Sequence, residues 1–352
     1  MKGFAGMMPR DMAATAEGPD AGRGRGSLAA PRPLASRETA ASGLLLALFL
    51  IALLLPFDFA LGTTRLNPSR LFLLICGIPF GLRLISGQLG GFTRVDACFI
   101  AFSLIIVGTL LYHHGTAQLP FALSQVVEIL GGYMAGRTLV RSLEDYRRFI
   151  RYFLVALAVL LPFAIDEMLH DRMLLSEIFR PFFTVIEKTH DVDPAQERRF
   201  GMMRAQTVFV NPILFGLFCT TGFASIVALY RKRPLRRAAY MALSLVATLT
   251  PLSSAPLLAI LMQVGLMTWG KITRGSWKTL AGLVVAVIVF LELASNRGTI
   301  IIIIETLTLD RQTGWWRLLI WQYGRQNVMD HPFLGIGMND WVTPKLTWDD
   351  SY

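Results

Sequence analysis

The stretch "RKRPLRRAAYMALSLVATLTPLSSAPLLAILMQVGLMTWGK", Arg231–Lys271, decides the fold. It opens on Arg231, Lys232, Arg233, Arg236 and Arg237, runs through two apolar segments and closes on Lys271. Between the segments stands "PLSSAP", Pro251–Pro256, where two prolines and two serines interrupt helical hydrogen bonding. The pattern predicts two membrane spans, over 238–252 and 254–270, joined by a tight hairpin or a broken helix. Clusters of Lys and Arg at both outer ends of the pair place those ends on the cytoplasmic face.

The rest of the chain repeats this pattern. Of its 352 residues 53% are hydrophobic and only 16% charged, where a soluble domain has about a quarter charged. Apolar runs near the length of about twenty residues that crosses a bilayer recur along it. We mark nine spans, at 43–61, 70–86, 95–112, 119–138, 149–168, 207–230, 238–252, 254–270 and 277–295. Within a span the backbone must satisfy its own hydrogen bonds, so each is a helix. The fold class expected is an all-α polytopic transmembrane bundle over 43–295.

Charge sets its orientation. The net charge of +10 lies between the apolar runs, where it meets lipid headgroups, so nucleic acid is not an expected partner. Arg137, Arg141, Arg147, Arg148 and Arg151 follow the fourth span, "RKRPLRR" the sixth, and Lys271, Arg274 and Lys278 the eighth. With these and the N-terminus inside, the parity of nine spans is consistent; Arg65 and Arg70 in the first outer loop are the exception. Residues 1–42, rich in Ala, Gly, Pro and Arg, bury too little to order themselves and read as a disordered cytoplasmic tail. Two segments fall outside: 169–206, with six acids and six bases, and 296–352.

Cys76, Cys98 and Cys219 all lie in apolar spans and read as small buried hydrophobes. Walker A, dinucleotide-binding and HExxH patterns are missing; no cofactor and no metal is expected.

The outer segments carry the candidate chemistry. "GWWRLLIWQYGRQNVMD", Gly314–Asp330, reads as an amphipathic helix, with Trp316, Leu319, Ile320 and Tyr323 on one side. Arg317, Trp321 and Arg325 form an adjacent stripe, with the arginines about 12 Å apart. Pro332 stops the helix and leaves His331 at its end, as a helix stop or a catalytic group; Gly335 and Gly337 let the chain turn back over it. Arg198, Arg199 and Arg204 stand just before the sixth span, and Asn211-Pro212 breaks that span near its outer end. Arginines in two outer loops suit an anion, since guanidinium forks match phosphate oxygens. The plainer reading is arginines snorkelling to headgroups with tryptophans at the interface.

Several stretches, "R-x9-G" from Arg325 to Gly335, "HPFLGIGMNDW", "RFGMMRAQTVFVNPILFG" and "LTPLSSAPLL", resemble the O-antigen ligase/polymerase family of bacterial membrane glycosyltransferases. The resemblance runs from about the fourth span to the end and is sharpest over Trp321–Gly337. It implies a C-type glycosyltransferase fold, acting on polyprenyl-diphosphate-linked glycans at the outer face of the inner membrane. No nucleotide sugar or metal takes part in that family. Its outer arginines hold the diphosphate, which here points to Arg199, Arg204, Arg317 and Arg325, and a chain-length regulator is a further expected partner besides membrane lipids. Ligases of the family carry a histidine, then Asn or Ser and an aromatic, where this chain has "WDDSY". That departure favours an exopolysaccharide-type polymerase, with Asp350 or His331 taking the acceptor proton. Family members continue with two or three more spans, so a C-terminally truncated product is expected, with 296–352 an incomplete extracytoplasmic loop.

A transporter is the rival reading. Asp58, Glu128 and Glu292 lie in or near spans, where carboxylates mark ion pathways, but no internal repeat accompanies them.

Overall fold

A computed structural model describes residues 34–61, 64–182, 184–185, 198–294, 299–308 and 311–340. Six helical stretches in it are long and apolar enough to cross a membrane: Pro68–Ile85, Arg94–Leu139, Leu143–His170, Pro212–Leu229, Ser254–Ile272 and Trp277–Ala294. The chain is thus a helical, multipass membrane protein.

The first half starts with α1 (Leu34–Leu54), which begins inside the segment expected to be tail. Its apolar part, Ala41–Leu54, is shorter than the span expected at 43–61. Pro56 disfavours helix in the residue before it, and the alternating "FDFAL" that follows forms a strand instead, β1 (Phe57–Leu61). That strand pairs antiparallel with β2 (Thr64–Leu66) and with β3 (Thr184–Val185), far along the chain. The all-α expectation is corrected to this extent: a small sheet ties the end of α1 to the first long loop.

Asn67 caps α2 (Pro68–Ile85) by accepting from Arg70 N. A capping box, Thr93 with Asp96, starts α3 (Arg94–His114). Gly115, at φ 65°, ends it, and the chain returns as α4 (Leu119–Val126), a π-turn (Val127–Gly131) and α5 (Gly132–Leu139). The Arg94–Leu139 stretch is therefore a hairpin of two spans, closed at its open end by Tyr133 and Arg137, which both bond to Asp96. Glu128, inside the π-turn, accepts from Arg70 Nε at 2.6 Å. One of the two cations that broke the inside-positive pattern thus serves an intramembrane carboxylate.

A second capping box, Ser142 with Asp145, starts α6 (Leu143–His170), the central helix. Phe153, Leu157, Leu160 and Ala164 on α6 meet Phe215 and Cys219 on α8 (Pro212–Thr220) and Ala247 on α10 (Pro234–Leu249). A second cluster joins Leu46, Leu73, Phe80, Met134 and Leu139, from α1, α2 and α5. Between these, α7 (Leu174–Phe179), β4 (Arg198–Arg199) and β5 (Met202–Met203) belong to the first long loop. The sixth span starts later than expected. Asn211 and Pro212 do not break it; they begin it, Asn211 as N-cap accepting from Leu214 N and Pro212 as first helical residue. After α9 (Phe223–Leu229) and α10, "PLSSAP" makes a hairpin into α11 (Ser254–Ile272). Gly216 lets α11 approach α8: a Cβ there would stand 2.3 Å from Pro256 Cγ.

Then come α12 (Trp277–Ala294), α13 (Thr299–Leu307) and α14 (Arg311–Asp330). The middle one lies in the segment expected to be loop, where a run of five isoleucines forms helix despite its strand preference. Glu292 accepts from both N and Oγ1 of Thr299, fixing the corner between α12 and α13.

The ends of these helices sort onto two faces. Gly43 of α1 faces Arg148 of α6, so the two helices start together, and β1–β3 joins the segments after both. Asp96, at the start of α3, meets Arg137 near the start of α6. The far ends of α1, α3 and α6 therefore share one end of the bundle with β1–β5 and the α10–α11 turn, as the charge pattern requires.

Candidate functional site

At that end the loop before α8 is fastened to the α10–α11 turn. The β4–β5 hairpin turns at Phe200 and Gly201, with φ 55° and 77°. Arg199 Nη1 donates to the Leu252 carbonyl at 2.9 Å, and Arg204 Nε to the Pro251 carbonyl at 3.3 Å. Ala205 N adds a backbone bond to the Thr250 carbonyl at 3.2 Å. Two stretches picked out separately in the sequence, "RFGMMR" and "PLSSAP", thus form one structure.

The backbone is held in an uncommon conformation on both sides of the contact. Thr207 has φ 51° and Leu252 has φ 47°, the left-handed region that costs a non-glycine residue energy unless its surroundings fix it. They do. Glu167, 2% exposed in the last turns of α6, accepts from Gln206 N at 3.2 Å and Thr207 N at 2.8 Å. Across from it α11 begins at Ser254, after an N-cap, Ser253, that makes no side-chain capping bond. Ser253 and Ser254 are 1% and 2% exposed. The hydroxyls of Thr207 and Ser254 are buried without a hydrogen-bond partner among the described residues. Two guanidiniums therefore bind the turn that precedes the positive end of α11, and the Glu167 carboxylate holds the backbone just after Arg204. Guanidiniums and a helix start are groups that suit oxyanions.

The last loop is built differently. α14 ends with His331 N on the Asn327 carbonyl at 2.9 Å, and Gly335 N returns to the His331 carbonyl at 3.1 Å. Gly335 and Gly337 have φ 57° and 64°, the turn expected of them. Met338 N then donates to His114 Nε2, at the end of α3, at 2.8 Å. A Cβ on Gly337 would stand 2.7 Å from that nitrogen and 3.0 Å from His113 Cβ, whereas Gly335 has open space. The side chain of His331 is exposed.

The four predicted arginines thus divide. Arg199 and Arg204 meet at one turn. Arg317 is half-buried and reaches Thr308 Oγ1 at 3.4 Å, and Arg325 is exposed. The apolar stripe of α14 is not a buried face, since Trp316 and Ile320 are 40% and 56% exposed. Asp350 lies outside the described residues. Glu167 and His114 went unnoticed in the sequence. An acid one turn from polar loop residues reads as solvated, and a histidine at a helix end reads as a headgroup contact. Among the described residues no group of three or more His, Cys, Asp or Glu is placed to share a metal.

The chain matches no protein-family model, no curated protein and no solved structure. The likeness to the O-antigen ligase/polymerase family rests on the residues themselves.

Proposed function

We propose that the chain is a glycosyltransferase of the inner membrane that polymerises or ligates polyprenyl-diphosphate-linked glycan at the outer face, in the manner of a C-type enzyme. The observation that supports this reading is the convergence of Arg199 and Arg204 on the α10–α11 turn, beside the start of α11. These carbonyl bonds help fix where each guanidinium stands. In the reaction an acceptor hydroxyl attacks the anomeric carbon. The bond from that carbon to the diphosphate breaks, and lipid diphosphate leaves with the electron pair. Charge accumulates on the leaving group, so preorganised cations supply the main stabilisation. Arg199 and Arg204 would hold the diphosphate, with Arg317 and Arg325 brought to it from α14. The acceptor proton passes to Asp350, the favoured base, or to His331.

Under this reading two of the transporter alternative's three carboxylates serve the fold instead. Glu128 is engaged by Arg70 and Glu292 by Thr299, roles that hold helices together.

The test is polymer formation from polyprenyl-diphosphate-linked oligosaccharide by the purified full chain in proteoliposomes. Native protein should lengthen the glycan and the Arg204→Ala variant should not. Undiminished polymer from Arg204→Ala, or transport of glycan without any new glycosidic bond, would overturn the reading.

A further inference from the structure

At the opposite end of the bundle from the arginine-bound turn, a cleft of about 370 Å³ opens between α2, the 86–93 loop, α3 and α5. That is within the size range of small-molecule sites. Its walls include Leu84, Ile85, Phe92, Leu130 and Met134. Much of its space comes from side chains that are not there. Gly81, Gly87, Gly90 and Gly91 line it, and a Cβ on any of them would meet nothing within 4 Å. Ile85 and Phe92 are 85% and 65% exposed, so the lips of the cleft face outward from the protein.

Cations close one end of it. Arg137 donates to the Gly91 carbonyl at 3.0 Å and pairs with Asp96. Arg141 donates to the Gln88 carbonyl at 2.9 Å. Arg94 opens α3 and is exposed, as is Arg141. Residues 81–94 hold no acid. Asp96, just beyond, is fully buried and satisfied by Thr93, Tyr133 and Arg137. Beside Arg141, Glu144 pairs with Arg148, and Asp145 is taken up by Arg148, Ser142 and Arg141 N, so the charge that Arg94 and the Arg141 guanidinium bring to this end of the cleft is positive.

An outward-facing apolar crevice at the end of a membrane span suits an acyl chain. That filling confers little preference, because the surrounding tails are equally apolar. Preference has to come from the headgroup. Arginines bind phosphate by charge-assisted hydrogen bonds, and basic pockets between transmembrane helices hold anionic lipid headgroups. We propose that this cleft is a binding site for an anionic phospholipid, with an acyl chain along the glycine-lined wall and the phosphate against Arg94 and Arg141. The site is separate from the arginine-bound turn and does not depend on the glycan reading.

The experiment is native mass spectrometry of the full-length protein in detergent, titrated with equimolar phosphatidylglycerol and phosphatidylcholine. Native protein should retain phosphatidylglycerol about tenfold better. The Arg94→Gln/Arg141→Gln double variant should retain the two lipids equally. Gly81→Trp, which fills the cleft from a position with open space, should lower retention of both. A control, Arg231→Gln/Lys232→Gln in the remote basic loop, should behave as native. Equal retention of the two lipids by native protein would overturn the proposal. So would unchanged selectivity in both cleft variants, or an equal loss in the control, which would assign the preference to diffuse charge. Unfolding temperature reports whether each variant is folded; should the arginine variant fail that check, unchanged retention in folded Gly81→Trp overturns the proposal by itself.

Discussion

The arginine-bound turn and the last loop face the same end of the bundle, but they are held in opposite ways. The turn is fixed from several directions at once. Arg199, Arg204 and Ala205 bind consecutive carbonyls, Glu167 holds the next two backbone amides, and Thr250, Ser253 and Ser254 are buried. Apart from the Thr299–Glu292 corner where it leaves α12, the last loop has Met338 N to His114 as its described hydrogen bond to the bundle, and most of its side chains are exposed. The first is a template whose geometry exists before any ligand arrives. The second is an arm, and under the proposed function it would bring Arg317 and Arg325 to a ligand while its hold on His114 is sound.

The largest expected effects would break this contrast if they came out alike. Arg204→Ala should abolish polymer formation, a loss of about a hundredfold or more, and should lower the unfolding temperature, because it releases a carbonyl of the turn. Arg325→Ala should lose activity as well but unfold like native protein. Activity assays beside thermal unfolding in detergent separate the two; equal destabilisation would mean α14 is part of the rigid core. Lysine should restore either position poorly, since a point charge does not replace a guanidinium fork.

Next in size come the glycines. Gly337→Val should detach the loop, because it meets His114 and also resists positive φ, a local cost of about 1–3 kcal/mol for the backbone alone. Gly335→Val carries only the backbone cost. Limited proteolysis between residues 331 and 340 should be faster for the first than for the second. The reverse order would show that His114 does not anchor the loop.

Much of this was legible in the sequence, and the parts that were not share a physical cause. Apolar runs such as 254–270 and 277–295 announce themselves because a bilayer demands a minimum length, and their helices fall within a few residues of the ranges expected. The small sheet was hidden. β1 pairs with β3 across more than a hundred residues, and two-residue strands leave no periodicity to read. Arg199, Arg204 and "PLSSAP" could each be singled out, but that they touch is a tertiary fact. The same holds for His114 and Met338, which no spacing connects. Asn211-Pro212 was misread as a break because a proline inside an apolar run looks the same as a proline at its first helical position.

Glu167→Ala sharpens the comparison further. It removes Oε2, the oxygen that accepts both amide bonds, so stability should fall by about 1–3 kcal/mol, read from denaturant unfolding, while the last loop is unaffected. No loss would mean that the turn is held by the arginines alone. The smallest effect is expected at the exposed His331. His331→Asn should leave substantial activity, since Pro332 still ends the helix, with Asp350→Asn the more damaging change. Dead but folded His331→Asn protein beside active Asp350→Asn protein would assign the base to the histidine.

The π-turn at Val127–Gly131 has a consequence for how this protein can change length. Elsewhere in a helix, deleting one residue rotates everything beyond it by about 100°. Tyr133 and Arg137 would then swing away from Asp96, and the hairpin of α3 and α5 would lose its clasp. A π-turn holds one residue more than the α-turn it replaces. Deleting Gly131 or Gly132 is therefore absorbed on the spot, with both flanking helices keeping their facing. Among the described residues, this is the transmembrane segment in which a single-codon loss leaves the register of its neighbours intact.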